Sequence, residues 1–162
     1  MQTITIDWDH PTDPAPPLAR DHVRDYVRTG GEDGHLWHGV PTLLLTTFDR
    51  ATGRTVRTPL IYTEDERRLV VAAAAWGAPE HPAWYRRLTA HPEVRVQTGP
   101  TVYCAEARTA TPHEREAYWP ALTALWPAFD DYQSHSPRTI PVVILDRGAG
   151  PEGAGRQGAG RR

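Results

Sequence analysis

Three short strand-like runs follow one another near the middle of the chain, and only a few residues connect them. Residues 42–48, 56–62 and 68–74 are rich in apolar and β-branched side chains, as strands are. Parallel neighbours need a crossover of a dozen or more residues, which the connections at residues 49–55 and 63–67 do not provide. The runs therefore predict antiparallel neighbours in one sheet and argue against a parallel, doubly wound arrangement.

Further elements surround this sheet region. The sequence predicts three helices, at residues 21–28, 82–90 and 111–126. Three more strands are predicted at residues 93–98, 101–109 and 140–145. Pro82 and Pro112 suit the first turn of a helix, Thr111 suits an N-cap, and Pro127 ends or kinks the third helix. About six mostly antiparallel strands with two to three helices predict an α+β chain, built as a split β-barrel rather than a sandwich.

The two ends of the chain differ in composition from the middle. Residues 1–19 are predicted to form a flexible proline-rich arm, and residues 147–162 a disordered tail of glycine, alanine and arginine. Residues 20–146 then make a single domain. The net charge of −2 argues against general nucleic-acid affinity, and the single Cys104 excludes an intrachain disulfide. Without an apolar run long enough to span a bilayer, we expect a cytoplasmic protein, with peripheral membrane contact left open.

The turn between the first two strands carries groups that suit an anion. Arg50 and Arg57 offer planar forks that match phosphate oxygens, and Thr52 lies beside the flexible Gly53. Threonine hydroxyls and backbone amides near a glycine can complete such a site. A solvated hairpin turn has a similar composition, so this alternative stays open.

A second segment, residues 72–85, consists of small residues that lead from a strand through Gly77 into a helix. A planar ring can approach the backbone there and take hydrogen bonds from free amides. The same small residues would also suit simple packing under a helix, and the composition does not separate the two readings.

A third segment places three aromatic residues, Trp126, Phe129 and Tyr132, where the third helix breaks at Pro127. Aromatics at such a break can line an apolar pocket. No metal site is predicted, because the close histidine pair in the sequence has no cysteine or carboxylate at ligand spacing. The Walker A phosphate-binding sequence and a serine nucleophile elbow are also absent from the sequence.

Taken in order, several stretches resemble the deazaflavin-dependent nitroreductase family, actinobacterial proteins that use coenzyme F420. These stretches are residues 41–47, 57–60, 81–85, 92–97, 118–120, 131–133 and 138–143. The resemblance implies an FMN-binding-like split barrel and an F420-dependent oxidoreductase. Reduced deazaflavin (8-hydroxy-5-deazaflavin, in preference to FMN) would donate a hydride to a quinone, nitroaromatic or other conjugated acceptor. It leaves open whether the protein is a monomer or a homodimer.

The resemblance also implies roles for individual residues. The phosphate tail would contact the turn and the strand after it, at Arg50, Ala51, Thr52, Gly53, Arg57, Thr58 and Pro59. The ring would contact the small-residue loop and the helix after it, at Ala74, Trp76, Gly77, Ala78, Pro79 and Trp84. Trp126, Phe129 and Tyr132 would face the acceptor, with the Tyr132 hydroxyl as the catalytic group that assists proton delivery.

This chain departs from the family pattern on the cofactor side. Asp49 replaces a glycine, Ala51 a basic residue and Arg87 an asparagine, and Trp76 stands at a glycine position. We expect Trp76 to lie along the cofactor cleft, because an exposed indole would leave a large apolar surface in water. Asp49, Ala51 and Trp76 also favour a second hypothesis, a non-catalytic protein that binds a flavin, haem or an apolar ligand in the same barrel.

Overall fold

The computed structural model describes residues 5–147. Four α-helices in this part of the chain are α1 (Pro17–Thr29), α2 (Ala83–Ala90), α3 (Pro112–Leu125) and α4 (Ala128–His135). The strands are β1 (Leu36–Trp37), β2 (Val40–Asp49), β3 (Arg54–Ile61), β4 (Thr63–Asp65), β5 (Arg68–Ala72), β6 (Glu93–Thr98), β7 (Thr101–Thr109) and β8 (Val142–Asp146). A 3-10 turn, Ala75–Gly77, stands between β5 and α2.

These strands form one curled antiparallel sheet. Its order is β1-β2-β6-β7-β8-β5-β4, and β3 pairs with β2 outside this path. Every ladder between named strands is antiparallel, and β3 comes close to β5 across the curl. The predicted α+β split barrel, with a helix between the third and fourth long strands, is confirmed. Sequence reasoning missed β1 and β4, which are too short to show a periodic pattern.

Strand β8 lies between two hydrophobic clusters, one on each face of the sheet. Val143 and Leu145 face the interior of the barrel, where α2 packs. Val142 and Ile144 face the opposite cluster, which contains residues of α3 and α4. This alternation follows from the two-residue period of a strand, and it explains why β8 is apolar throughout. The two clusters hold α2 on one side of the sheet and the α3–α4 pair on the other.

Helix α1 begins at Pro17, earlier than the predicted residue 21, because a proline at the first helical position costs no hydrogen bond. The Tyr26 hydroxyl connects α1 to the sheet, since it donates to Thr42 O at 3.0 Å and accepts from Gly99 N–H at 2.9 Å. The segment before α1 also contacts the sheet, because the Thr12 amide donates to Thr55 O at 2.7 Å. The predicted tail lies, from residue 148 onward, outside the described residues.

Helix α3 begins with a reciprocal capping box. Thr111 Oγ1 accepts from the Glu114 amide at 3.2 Å, and Glu114 Oε1 accepts from the Thr111 amide at 2.9 Å. Arg108 donates to both carboxylate oxygens of Glu114, at 2.8 and 2.9 Å. These hydrogen bonds, that from Arg108 first, lower the pKa of Glu114 to about 2. The helix ends at Leu125, so the predicted stop before Pro127 is confirmed.

Candidate functional site

A groove of about 340 Å³ lies between the β2–β3 turn and helix α2. The turn contributes Phe48, Asp49, Arg50 and Ala51, and α2 contributes Ala83, Arg86, Arg87 and Ala90. The structure therefore places two arginines of α2 beside the turn that the sequence singled out as an anion site.

Three guanidinium groups line this groove: those of Arg50, Arg86 and Arg87. Within residues 5–147 none of them forms an ion pair; Arg50 donates to Ala90 O at 3.2 Å, and Arg87 Nε donates to Thr47 Oγ1 at 2.8 Å. Burial lowers the pKa of Arg87, and the charge of Asp49 acts in the opposite direction. Three cations near one carboxylate leave the groove positively charged, which suits an anionic ligand.

Asp49 also has a structural role in the turn. Its Oδ1 accepts from the Ala51 amide at 2.9 Å, and Thr52 Oγ1 accepts from the Arg54 amide at 3.2 Å. Gly53 has a φ of 75°, a conformation that favours glycine and closes the turn onto β3. These bonds fix the backbone that carries Arg50 and Ala51.

The structure does not bring Arg57 into this groove. Arg57 pairs with Thr46 in the β2–β3 ladder, whereas Thr47, the partner of Arg87, pairs with Val56. Successive side chains of a strand point to opposite faces, so Arg57 and Arg87 lie on opposite sides of the ladder. Arg57 instead contacts Asp13, with Nη2 and Nε at 2.8 and 2.9 Å from the carboxylate oxygen. Thr58 and Pro59 follow it along β3.

The loop between β5 and α2 has an unusual backbone. Ala75, Trp76 and Gly77 have φ values of 48°, 58° and 84°, after a right-handed Ala74. Each left-handed non-glycine residue costs about 1–3 kcal/mol, so the surrounding structure must stabilise the loop. A right-handed residue followed by a left-handed one turns consecutive N–H groups to one side, where they can bind an anion or a carbonyl oxygen.

This loop packs against helix α4. A Cβ built on Gly77 would lie 3.1 Å from Tyr132 O, a tight contact, and the positive φ of residue 77 also favours a glycine. The Trp76 ring meets the Tyr132 ring edge-on at 5.8 Å, yet the Trp76 side chain remains 70% exposed. The sequence-based expectation was that the indole would lie in a cleft and avoid solvent. The structure differs, because Trp76 contacts Tyr132 and the rest of its ring is exposed to water. Trp84, which the resemblance places near the ring, is buried in the barrel interior.

The predicted acceptor residues lie together on α4 and just before it. Trp126 Nε1 donates to the Tyr132 hydroxyl at 3.3 Å, and the Phe129 ring lies 6.0 Å from the Tyr132 ring. Phe129 is buried beneath them. The loop between β5 and α2 (hereafter the ring loop) therefore contacts the three aromatic residues, Trp126, Phe129 and Tyr132, through the Trp76–Tyr132 ring pair.

Two further aromatic residues contact this group (together, the aromatic wall), and the sequence did not predict them. The Trp37 ring lies 4.9 Å from that of Trp126, and the His38 ring is stacked on Trp126 at 6.1 Å. Both precede β2, and His38 has a left-handed φ of 51° just before Gly39. The His38-Gly39 pair indicates a turn in the sequence, but no local pattern predicts that it contacts Trp126.

In the part of the chain that the structure describes, no cluster of histidine, cysteine and carboxylate side chains could bind a metal ion. Among the same residues, no helix has the length and apolar character needed to cross a membrane.

Comparison with known proteins gives concordant results. Residues 18–147 match the family described as F420H(2)-dependent quinone reductase. An F420H(2)-dependent quinone reductase of Mycobacterium tuberculosis (strain ATCC 25618 / H37Rv) is 34% identical over 139 residues, which cover 80% of this chain and 90% of that protein.

Two solved structures are also similar. One, described as an F420-H2 dependent reductase, is 34% identical with a TM-score of 0.62, covering 65% of this chain and 94% of that chain. The other, described as a domain-swapped dimer, is 30% identical with a TM-score of 0.65, covering 78% of this chain and 92% of that chain.

Proposed function

Because this chain belongs to the F420H(2)-dependent quinone reductase family, we propose that it reduces a quinone-type acceptor with reduced coenzyme F420. The resemblance found in the sequence agrees with this membership. One observation supports the proposal most: the glycine loop after β5 packs directly on Tyr132, so a ring bound at the loop would lie beside the aromatic residues proposed for the acceptor.

The residues present fit such a cofactor. The cationic groove at Arg50, Arg86 and Arg87 suits the anionic tail, because guanidinium forks donate paired hydrogen bonds to phosphate oxygens. The lost cation at Ala51 is offset by the two arginines of α2. The amides of residues 74–76 can donate hydrogen bonds to the polar edge of a planar ring, and the Trp76 indole can cover part of that ring.

When bound, reduced F420 supplies the hydride that the acceptor needs. The protein then supplies orientation and a proton, since a quinone becomes a quinol by gaining a hydride and a proton together. Tyr132 can donate that proton because its oxygen accepts the Trp126 N–H, which leaves its own O–H free to donate. Solvent can reprotonate the half-buried hydroxyl.

The aromatic wall supports a flat, apolar acceptor. The rings of Trp37 and His38 cluster on Trp126, which in turn donates to the Tyr132 hydroxyl. Aromatic side chains stack on any flat ring, so such a site can accept quinones as well as nitroaromatic compounds. Of the monomer and homodimer that the sequence left open, the similar structure described as a domain-swapped dimer favours the homodimer. A cytoplasmic location stays an expectation.

Anaerobic turnover of reduced F420 with a soluble quinone tests this proposal. We expect the wild-type protein to oxidise F420H2 only when the quinone is present. Tyr132→Phe should lower kcat about 100-fold, the usual contribution of a positioned general acid, while the Kd of oxidised F420 is unchanged.

Tyr118→Phe is the matched control, because the Tyr118 hydroxyl donates to Asp65, away from the loop, at 2.6 Å. Tight F420 binding without turnover of any quinone or nitroaromatic would favour the non-catalytic binding protein instead. Full activity of Tyr132→Phe would exclude Tyr132 as the proton donor.

A further inference from the structure

Arg138, which does not line the groove, contacts the loop between β5 and α2 at several points. Arg138 Nη1 donates to Ala73 O at 3.1 Å, Nη2 to Ala74 O at 2.9 Å, and Nε to Ala78 O at 3.1 Å. Its Nη1 also lies 3.1 Å from His81 Nδ1. A single guanidinium therefore bonds both sides of the left-handed segment, the strand end before it and the residue after it.

The backbone around Arg138 is also fixed by hydrogen bonds. Gln133 Nε2 donates to Arg138 O at 2.9 Å, and Gln133 Oε1 accepts from the Ile140 amide at 2.8 Å. The Arg138 amide also donates to Ser136 Oγ at 3.3 Å. The segment between α4 and β8 is thus a firm support for the guanidinium.

The bonding pattern differs from that of an ordinary ion pair. Within residues 5–147 Arg138 has no carboxylate partner, and burial lowers its pKa. Besides the contact with His81, its donors bond backbone carbonyls, so its charge is stabilised mainly by peptide dipoles of the loop. Arginine can serve three carbonyls at once, because its guanidinium carries five N–H donors in a fixed fork.

The loop needs such support because it is strained. Ala75 and Trp76 are left-handed without being glycine, and the internal bonds of the turn are few, from the Gly77 amide to Ala74 O and from the Ala78 amide to Ala75 O. Arg138 shares the Ala74 carbonyl with the first of these bonds. Because the N–H of a trans peptide points away from its C=O, the amides of residues 74 and 75 point away from Arg138. The right-handed Ala74 followed by the left-handed Ala75 turns the amide of residue 76 to the same side.

We propose that Arg138 is a positioning residue for the cofactor ring: it holds the loop carbonyls so that the amides of residues 74–76 stay arranged to receive the ring. This inference rests on the proposed function. Arg138 is not itself a catalytic residue, since it acts through the loop.

The test compares Arg138→Gln and Arg138→Lys with a matched control, Arg115→Gln. Arg115 also bonds a carbonyl and an amide in the same region, Ile140 O and Gln133 Oε1, each at 2.8 Å, but it does not contact the loop. Both sites should lose a similar amount of thermal stability. The Arg138 variants should weaken binding of oxidised F420 by about tenfold or more, whereas Arg115→Gln should have a smaller effect, because Arg115 reaches Arg138 only through Gln133. Lysine should not rescue, because one ammonium cannot span three carbonyls.

A second substitution tests whether the effect passes through the backbone of the loop. Adding Ala75→Gly to Arg138→Gln removes the left-handed cost at one residue, so the double variant should recover part of the lost F420 affinity. Loss of affinity in Arg115→Gln equal to that in Arg138→Gln would overturn the proposal, as would an unchanged Kd in Arg138→Gln or no recovery with Ala75→Gly.

Hydrogen–deuterium exchange without cofactor separates this inference from the proposed function. Arg138→Gln should speed exchange of the amides of residues 77 and 78, which donate to Ala74 O and Ala75 O, whereas Arg115→Gln should speed it less. If the wild-type protein bound no F420 but exchange responded in this way, the proposed function would fail while the loop support stood. Unchanged exchange in Arg138→Gln would overturn the loop support itself.

Discussion

Replacing Arg87 by glutamine should weaken cofactor binding through the groove between the β2–β3 turn and α2. The substitution removes a cation from the groove wall and keeps a side chain of similar shape. Arg87 is the half-buried member of the three arginines there, and its Nε–H···Oγ1 bond to Thr47 holds the guanidinium in one orientation. It is therefore the best preorganised cation for an anionic tail.

The size of the effect follows from the bond that is lost. A hydrogen bond to a charged group contributes about 1.5–3 kcal/mol, so the Kd of F420 should rise roughly tenfold to a hundredfold. The groove is open to solvent, and Asp49 partly offsets the positive charge of the arginines. We therefore expect a rise in Kd near the tenfold end of this range. The same openness predicts that the affinity difference shrinks as salt is added.

Isothermal titration with oxidised F420, at low and at moderate salt, measures this change. Thr47→Val is the matched control, because it removes the hydroxyl that accepts from Arg87 and leaves the cation in place. Both variants should lose about 1 kcal/mol of unfolding free energy from the broken hydrogen bond. Only Arg87→Gln should lose most of the affinity.

Two results would refute this reasoning. An unchanged Kd in Arg87→Gln would mean that the tail is bound elsewhere. An equal loss of affinity in Thr47→Val would mean that the effect comes from packing of β2 on α2 rather than from the charge.

Four further predictions follow from the same structure. Ala51→Lys should lower the Kd of F420, because it returns a cation to the groove; titration measures it, and an unchanged Kd would contradict it. Arg57→Ala should lower thermal stability but change the Kd less than Arg87→Gln does, since Arg57 faces Asp13 on the other side of the ladder. Trp76→Gly should weaken F420 binding and remove much of the tryptophan quenching seen on titration; tighter binding would show that the indole obstructs the site. The unfolding free energy should fall as pH drops from about 4.5 to about 2, because the pKa of Glu114 is depressed in the folded state and its contribution is lost on protonation. Glu114→Gln should flatten that part of the pH profile in denaturant titrations, whereas Glu116→Gln on the same helix should not.

The fold could be predicted because its signals are local. Strands β6 and β7 have the predicted bounds, since a tight turn at Gly99 separates two runs that alternate between buried and exposed positions. Thr111 and Pro112 identified the start of α3 in the same way, through capping chemistry that depends on a few neighbouring residues. Two-residue and three-residue strands carry no such pattern, which is why β1 and β4 were missed.

The site was predicted less completely because its partners lie far apart in the chain. The turn at Arg50 was found from its own residue types, but the contribution of α2 depends on how the helix packs across β2. The sequence predicted Arg57 as a phosphate ligand, whereas its contact with Asp13 depends on the β2–β3 register and on the segment before α1, which the local pattern does not reveal. The contact of Trp37 with Trp126 likewise depends on tertiary structure alone.

Direct binding of the cofactor tests the central claim most directly. We predict that the purified protein binds oxidised F420 with one site per chain, much more tightly than FMN, and that reduced F420 held by the protein is oxidised when a quinone is added anaerobically. Binding of FMN in preference to F420, or F420 bound tightly yet never oxidised by any quinone, would contradict the account.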